Sequence, residues 1–438
     1  MERFFGLKEH GTNIRQEIVA GVTTFLTMAY ILAVNPEMLS QTGMDQGGVF
    51  TATVVASAIA TIAMACLANL PVALAPGMGL NAFFTYTVVI GLNYPWQLAL
   101  TAILLEGLIF IVLSLFNVRE LIIKAIPANL KRAAAVGIGL FITLIGLINS
   151  GIIVGNPSTL VSLGSLIDAP EHLPPLSPFL AILGLLIIIV LYANKIPGGI
   201  LIGIILTTIL GIPLNVTRIP ENFSPLSLVS LPSAPLFMQF DFRSIFSFEF
   251  FTVLFTFLFV DIFDTIGTLV GVATEAKLMK KGEIPRVKQA LLADAIGTVA
   301  GACLGTSTVT SYVESTAGVA SGGRTGLTSL VTALLFLFAL FLSPLFLLIP
   351  SAATAPALIV VGFFMIHSVT EIDFTDPTEG IPAFLTIVMM PFAYSIAEGL
   401  VYGILSFVVL KTVTAKYKEI SLITWILFIV FLLKFFIS

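Results

Sequence analysis

The chain is poor in charge. Only 10% of its 438 residues are Asp, Glu, Lys or Arg, against about 25% in an ordinary soluble domain. With 58% hydrophobic residues and a mean hydropathy of +1.08, a water-soluble globule is excluded and a polytopic helical membrane protein remains. Cysteine is scarce too. Cys66 and Cys303 both fall in apolar stretches, which excludes a disulfide framework and a thiolate cluster. His10, His172 and His367 are too scattered to form a ligand set, so neither metal nor cofactor is expected. A net charge of −4 points to no nucleic-acid partner. The opening stretch, MERFFGLKEHGTNIRQE, lacks a cleavable signal pattern. Its Phe4, Phe5 and Leu7 among Arg3, Lys8 and Arg15 suit an interfacial segment, residues 1–16, on the cytoplasmic side.

What is present is one apolar stretch after another at spanning length. They lie near 17–35, 49–69, 72–91, 96–116, 133–149, 178–194, 197–212, 247–273, 287–305, 308–323, 326–346, 351–367, 381–395 and 397–414, and a last run covers 420–437. Arg119 to Arg132 reads as a basic amphipathic piece at the membrane interface. Residues 213–246, punctuated by Pro213, Pro220, Pro225, Pro232 and Pro235, read as an extended extracytoplasmic connector. With the N-terminus inside and fourteen spans, every Lys and Arg except Arg218, Arg243 and Lys434 falls on the cytoplasmic side, as the positive-inside rule requires. The acidic stretch with Glu371, Asp373, Asp376 and Glu379 also falls inside, without a basic residue of its own.

The two halves echo each other. SPFLAILGLLIIIVLYANKIPGGILIGIILTTILG at 177–211 has the pattern of IPAFLTIVMMPFAYSIAEGLVYGILSFVVLKTVTA at 381–415. ACLANLPVALAPGMGLNAFF at 65–84 has its counterpart in ACLGTSTVTSYVESTAGV at 302–319. Seven spans per half, an odd number, invert the second half relative to the first. Inverted repeats with broken helices in matching places mark secondary transporters.

The breaks carry the polarity. Gly305 to Gly326 is rich in Ser, Thr and Gly and holds a lone carboxylate, Glu314. An extramembrane hairpin is the alternative reading, and the lack of charge from Asp294 to Glu314 counts against it. Thr306 to Tyr312 alternates small polar and β-branched residues, which suits an extended strand; Glu314 onward suits a half-helix. In LPVALAPGMGLNAFF, Pro71 and Pro76 bar a regular helix, and Gly77 and Gly79 free the backbone. Asn81 sits in the first turn beyond, as a ligand contact or a cap. Backbone that leaves the helix at membrane depth must be buried in protein or line a cavity. The expectation is therefore that Ala73 to Pro76 runs beside Val309 to Tyr312. Asn81 and Glu314 should open on one cavity, with Asp261 on its wall.

In FLFVDIFDTIGTLVGVATEA, Asp261, Asp264, Thr265 and Thr268 fall at the spacing of one polar helix stripe. Carboxylates are costly in a span, so the stripe suits a proton carrier. Asp261 is expected to meet ligand or proton, Asp264 to be its structural partner, and Asp294 to anchor Asp261 or Glu314. Thr23, Thr27 and Tyr30 share one face of the first span, where they either line the cavity or pack helices. Glu106 is a lone carboxylate with no role legible from its surroundings. A cavity with acceptors and neither Lys nor Arg suits a neutral ligand rich in N–H donors, or a cation.

GVTTFLTMAYI, APGMGLNAFF, FVDIFDTIGT and TSTVTSYVEST, in this order and spacing, resemble the azaguanine-resistance (AzgA-like) branch of the nucleobase–cation symporters, through about residue 415. The resemblance implies an all-α polytopic membrane protein of fourteen transmembrane segments in a seven-plus-seven inverted repeat, with short strands in spans 3 and 10. Residues 17–118 and 247–346 would form a core domain, 119–212 and 347–415 a gate domain, and 416–438 an additional C-terminal hydrophobic helix. It further implies proton-coupled uptake of adenine, guanine or hypoxanthine across the cell membrane, with the proton as coupling ion, and a homodimer through the gate. By position, Asn81, Asp261 and Glu314 match the branch's main substrate residues, Asp264 a residue tied to function and stability, and Asp294 an acidic position of the wider family. Tyr312, Val313 and Ser315 match the stretch that holds the base by stacking and backbone contact. Glu314 stands where purine–xanthine relatives have an amide, which fits hypoxanthine or adenine better than xanthine. Two rivals differ in class. An anion exchanger of the same fold would want a cation at the site. An intramembrane aspartyl protease would want two aspartates facing each other from different spans, whereas Asp261 and Asp264 share one.

Overall fold

The computed structural model describes residues 2–115, 127–171, 173–219, 229–243, 245–279 and 284–437. Most of the basic piece expected over Arg119 to Arg132, the middle of the connector, and Lys280 and Lys281 lie outside the described residues.

In chain order the elements are α1 (Ile14–Met28), α2 (Ile31–Ser40), α3 (Gln46–Ala63), β1 (Leu74–Pro76), α4 (Met78–Ala82), α5 (Trp96–Leu115), α6 (Ala128–Asn149), β2 (Ile153–Asn156), β3 (Leu160–Leu163), α7 (Ser177–Ala193), α8 (Gly199–Gly211), α9 (Phe248–Glu275), α10 (Val287–Leu304), β4 (Val309–Ser311), α11 (Ser315–Ala320), α12 (Gly326–Ala339), α13 (Ser351–Ile366), α14 (Pro377–Phe392), α15 (Ile396–Val413) and α16 (Leu422–Ile437). Their starts follow the sequence: Asn13, Asp45 and Ser247 each accept a backbone N–H of the first turn they precede, a cap worth about 1 kcal/mol.

The chain is a multi-pass membrane protein. Among the described residues nine helices are long and apolar enough to cross a bilayer, fewer than the fourteen expected spans. The shortfall is one of length. Helices α7, α8 and α14 run 17, 13 and 16 residues, under the roughly 20 that a perpendicular span needs. Two other segments are split between a strand and a half-helix. The first span is itself interrupted, at Ala29–Tyr30. There Thr23 and Thr27 return their hydroxyls to the carbonyls of Val19 and Thr23 (2.9 and 3.0 Å), a habit that bends helices.

Packing gathers the helices into two groups. Helix α10 lies along α3 and α5, and α12 along α1 and α3; α6 lies along α13 and α14, with α15 on α14 and α7 on α13. The all-α expectation misses one hairpin, β2 against β3 with Ile153 opposite Leu163. Its turn is an Asx turn in which the Asn156 side chain accepts from the N–H groups of Ser158 and Thr159, a chemistry that the run Asn-Pro-Ser-Thr announces. The acidic stretch 371–379 finds its bases from other elements: Arg132 meets Glu371 at 3.1 Å, Lys416 meets Asp376 at 2.7 Å, and Lys411 meets Glu379 at 2.7 Å. Lys411 also binds Glu419 at 2.6 Å, just before α16, and the ring of Phe431 on α16 packs 5.5 Å from that of Phe255 on α9.

Candidate functional site

The two breaks meet as the sequence predicts. Strands β1 and β4 pair antiparallel, with Leu74 opposite Ser311, Ala75 opposite Thr310 and Pro76 opposite Val309. The ladder is extended by Gly77 N–H to Thr308 O and Tyr312 N–H to Ala73 O, both 3.0 Å. Each strand thereby satisfies backbone groups of the other that hydrocarbon would leave bare. At Gly77 the chains approach so closely that an added Cβ would stand 2.5 Å from Thr310 Cγ2, which explains the glycine.

Every side chain of the lead-in to β4 is held. Thr306 accepts from Asn35 of α2 (2.9 Å), Ser307 donates to Asn81 of α4, and Thr308 donates to Glu106 of α5 (2.7 Å). Next, Thr310 shares a hydrogen bond with Thr265 of α9 (2.7 Å), and Thr298 of α10 donates to Val309 O (3.0 Å). Glu106, without a legible role in the sequence, is thus a buried acceptor for the break. Asn35 was missed, although a buried amide in an apolar span ahead of a proline is a signal that could have found it.

Beside the strand crossing lies a cavity of ≈ 60 Å³, walled by Tyr30, Asp264, Thr268, Val313 and Glu314 on one side and by Val361, Phe364 and Met365 of α13 on the other. It has room for a few waters at roughly 10–15 Å³ each and is far below the roughly 300–1,000 Å³ of a ligand pocket. A base enters only if the walls part. Larger hollows, ≈ 710 Å³ at Gln97, Asp241 and Arg243 and ≈ 620 Å³ at Asn129, Glu379 and Glu419, open at helix ends away from both breaks.

Glu314 lines the cavity as expected, and the Tyr30 hydroxyl donates to its Oε1 at 2.6 Å. Asp264 lines it too, whereas Asp261 does not. This corrects the expected place of Asp261 on the cavity wall. The four polar residues of α9 form two adjacent i, i+4 pairs rather than one stripe: Asp264 and Thr268 face the cavity, while Asp261 and Thr265 are fully buried on the side of α10 and β4. There Thr265 lies 3.2 Å from Asp261 and 2.7 Å from Asp294, so Asp294 meets Asp261 through Thr265. Residues three apart on a helix diverge by about 60°, enough to separate the two aspartates.

Asn81 departs from expectation as well. It is fully buried, accepts from Ser307, and is absent from the cavity wall; its Nδ2 has no hydrogen-bond partner among the described residues. Tyr312 and Val313 line the cavity, and the Tyr312 hydroxyl is committed to Pro76 O at 2.5 Å. Ser315 is turned inward, its Oγ accepting from Ala73 N at 3.0 Å. Thr27 sits beside the cavity, its hydroxyl turned to Thr23 O and Thr24 O at 3.0 and 2.9 Å and lying 3.4 Å from Glu314 O. Among the described residues the cavity wall contains no Lys or Arg.

Comparison with known proteins agrees with this frame. The chain superimposes on the transmembrane domain of a cyanobacterium bicarbonate transporter, BicA, with a TM-score of 0.65, covering 89% of this chain and 97% of that one at 17% identity; at that identity the likeness concerns the fold alone. It is 46% identical to the guanine/hypoxanthine permease PbuG of Bacillus subtilis, over 99% of both chains. It is 45% identical to the adenine permease AdeP of Escherichia coli, over 99% of this chain and 95% of that one. A profile described as Permease family matches residues 15–402. The chain therefore belongs to the permease family, in the branch that contains the adenine and guanine/hypoxanthine permeases.

Proposed function

We propose that the protein is a proton-coupled importer of purine nucleobases, adenine, guanine or hypoxanthine. The observation that carries the reading is the cavity at the strand crossing, with two carboxylates and, among the described residues, no Lys or Arg on its wall, in a chain 45–46% identical to purine permeases. Glu314 and Asp264 accept hydrogen bonds from ring N–H or amino groups, and Tyr312 and Val313 lie against the base. Asn81, Ser315 and Thr27 act from behind the wall by fixing the two breaks. A difference of one per cent between the two permease types does not select a purine.

The proton is carried on the carboxylates of α9 and α10. Thr265 has one hydroxyl proton and two carboxylates within 3.2 Å, with Thr310 able to donate to it. A proton on Asp261 or Asp294 would complete that set, and a proton on Asp264 would remove charge from the cavity before the walls move.

The movement is an elevator-like shift of one packing group against the other. The group with α1, α3, α5, α10 and α12 corresponds to the core, and that with α6, α7 and α13 to α15 corresponds to the gate, through which two copies pair. The short helices then complete fourteen spans in a seven-plus-seven inverted repeat, with the N-terminus cytoplasmic. The ion pairs of Glu371, Asp376 and Glu379 with Arg132, Lys416 and Lys411 support that orientation, because they bring the acidic stretch to bases assigned to the same side.

The anion-exchanger reading fits the fold and conflicts with the carboxylates on the wall. The protease reading finds no support among relatives that are permeases. The deciding experiment is uptake into proteoliposomes of labelled adenine, guanine, hypoxanthine, sulfate and bicarbonate, with and without a pH gradient. Accumulation of a purine that follows the gradient is expected. Uptake of sulfate or bicarbonate alone would sink the proposal, and purine equilibration without accumulation would sink the coupling.

A further inference from the structure

Tyr30 occupies an unusual place. It lies in the interruption between α1 and α2 and is 1% exposed, yet its hydroxyl reaches the cavity wall and donates to Glu314 Oε1 at 2.6 Å. From the preceding turn, the Thr27 hydroxyl stands 3.4 Å from Glu314 O. The first span thus contacts Glu314 at both its side chain and its main chain. Among the described residues, Tyr30 is the one side chain that donates to this carboxylate. A phenol-to-carboxylate bond of this length is charge-assisted and about twice as strong as a neutral one.

We propose that Tyr30 is a specificity-determining residue, which holds one oxygen of Glu314 so that the carboxylate receives a single donor from the bound base rather than two side by side. The inference rests on the nucleobase reading above and goes beyond it by naming what is selected. A free carboxylate accepts bidentately. Guanine presents its N1–H and 2-amino group as adjacent donors, a pattern that matches both oxygens of a carboxylate. Hypoxanthine presents N1–H with no amino group beside it. With the phenol on Oε1, the second donor of guanine competes with the phenol for an oxygen that has already given up one of its two lone pairs, while hypoxanthine, with one donor on Oε2, loses nothing. Phenylalanine at this position keeps the ring and removes only the hydroxyl.

The test is equilibrium binding of hypoxanthine and guanine to the full-length purified protein, to Tyr30→Phe, to Glu314→Gln and to the double variant. In the parent, hypoxanthine is expected to bind more tightly than guanine. Tyr30→Phe should move the guanine-to-hypoxanthine affinity ratio toward guanine by about fivefold or more, and the same substitution in the Glu314→Gln background should leave the ratio where it was. A shared loss for both bases, or an equal shift in the Glu314→Gln background, would overturn the inference and leave Tyr30 as packing. A parent that prefers guanine overturns it without any variant, which covers the case of a substitution that fails to fold. A parent that binds adenine and neither of these bases overturns the inference alone, and one that binds none of the three overturns the nucleobase reading itself.

Discussion

Asp261 and Asp264 are neighbours on α9, yet their surroundings treat them differently. Asp261 faces inward with Asp294, and Thr265 bridges the two. Asp264 faces the cavity with Glu314, and among the described residues no donor is bound to it. One pair is set among hydroxyls that also hold β4 in place; the other lines the cavity, where Glu314 accepts from Tyr30. A buried carboxylate in a span is therefore insufficient as a sign of ligand binding. What distinguishes the two aspartates is whether a donor of the protein already occupies their lone pairs.

The contrast can be broken by substitution. Glu314→Gln should have the largest effect, a loss of about tenfold to a hundredfold in purine affinity, since a charge-assisted hydrogen bond is worth about 1.5–3 kcal/mol. Isothermal titration would read it, and near-parental affinity would remove Glu314 from the ligand set. Asp264→Asn should come next: accumulation driven by an imposed pH gradient falls roughly tenfold while affinity changes by only a few-fold. If Asp261→Asn uncouples transport and Asp264→Asn does not, the roles drawn from the cavity are reversed.

Thr265→Val should act on folding instead. It strips the inner pair and Thr310 of their shared hydroxyl, which costs about 1–3 kcal/mol and lowers the melting temperature in detergent by a few degrees. Purine affinity of the folded protein should stay near parental; a large loss of affinity with unchanged melting would merge the two pairs into one site.

The smallest effect belongs to the half-buried ion pair of Lys416 with Asp376. The Lys416 ammonium, with the backbone and hydroxyl of Thr378, holds the Asp376 carboxyl far below the usual carboxylate range. A depressed folded value contributes stability above the unfolded value of about 3.9, and that stability is lost as pH falls toward the folded one. Lys416→Gln should melt slightly below the parent at neutral pH, with the gap closing below about pH 4 and shrinking in high salt. A gap that persists in acid would mean that Lys416 acts through packing.

Both breaks were legible because Pro71, Pro76, Gly77 and the Ser/Thr run around Glu314 leave few alternatives to extended backbone at membrane depth. Their pairing followed from the need to satisfy unpaired groups, and the register of Leu74 with Ser311 bears that out. The facing of Asp261 and Asp264 was not legible. Helical spacing says that the two diverge, but not which direction holds the cavity. Asn81 was misjudged for a similar reason: its partner, Ser307, lies in the other half of the chain. The wall formed by Val361, Phe364 and Met365 left no trace, because apolar residues beside a cavity read like any other part of a span. Helices α7, α8 and α14 were legible close to their observed lengths, since the apolar stretches at 178–194, 197–212 and 381–395 already fall short of about 20 residues.

The crossing of β1 with β4 also bears on how the protein is made. Leu74 is synthesised before its partner Ser311 by roughly 240 residues, about 10–50 s at common elongation rates. Through that interval the first strand must sit in the bilayer without its mate. Thr61 shortens the list of bare groups, since its hydroxyl accepts from Leu74 N–H at 3.0 Å and lies 3.1 Å from Leu74 O. Pro76 shortens it further by having no N–H to expose. The early half of the chain thus carries its own provision for waiting, and Thr61→Val should show its damage first in the yield of inserted protein.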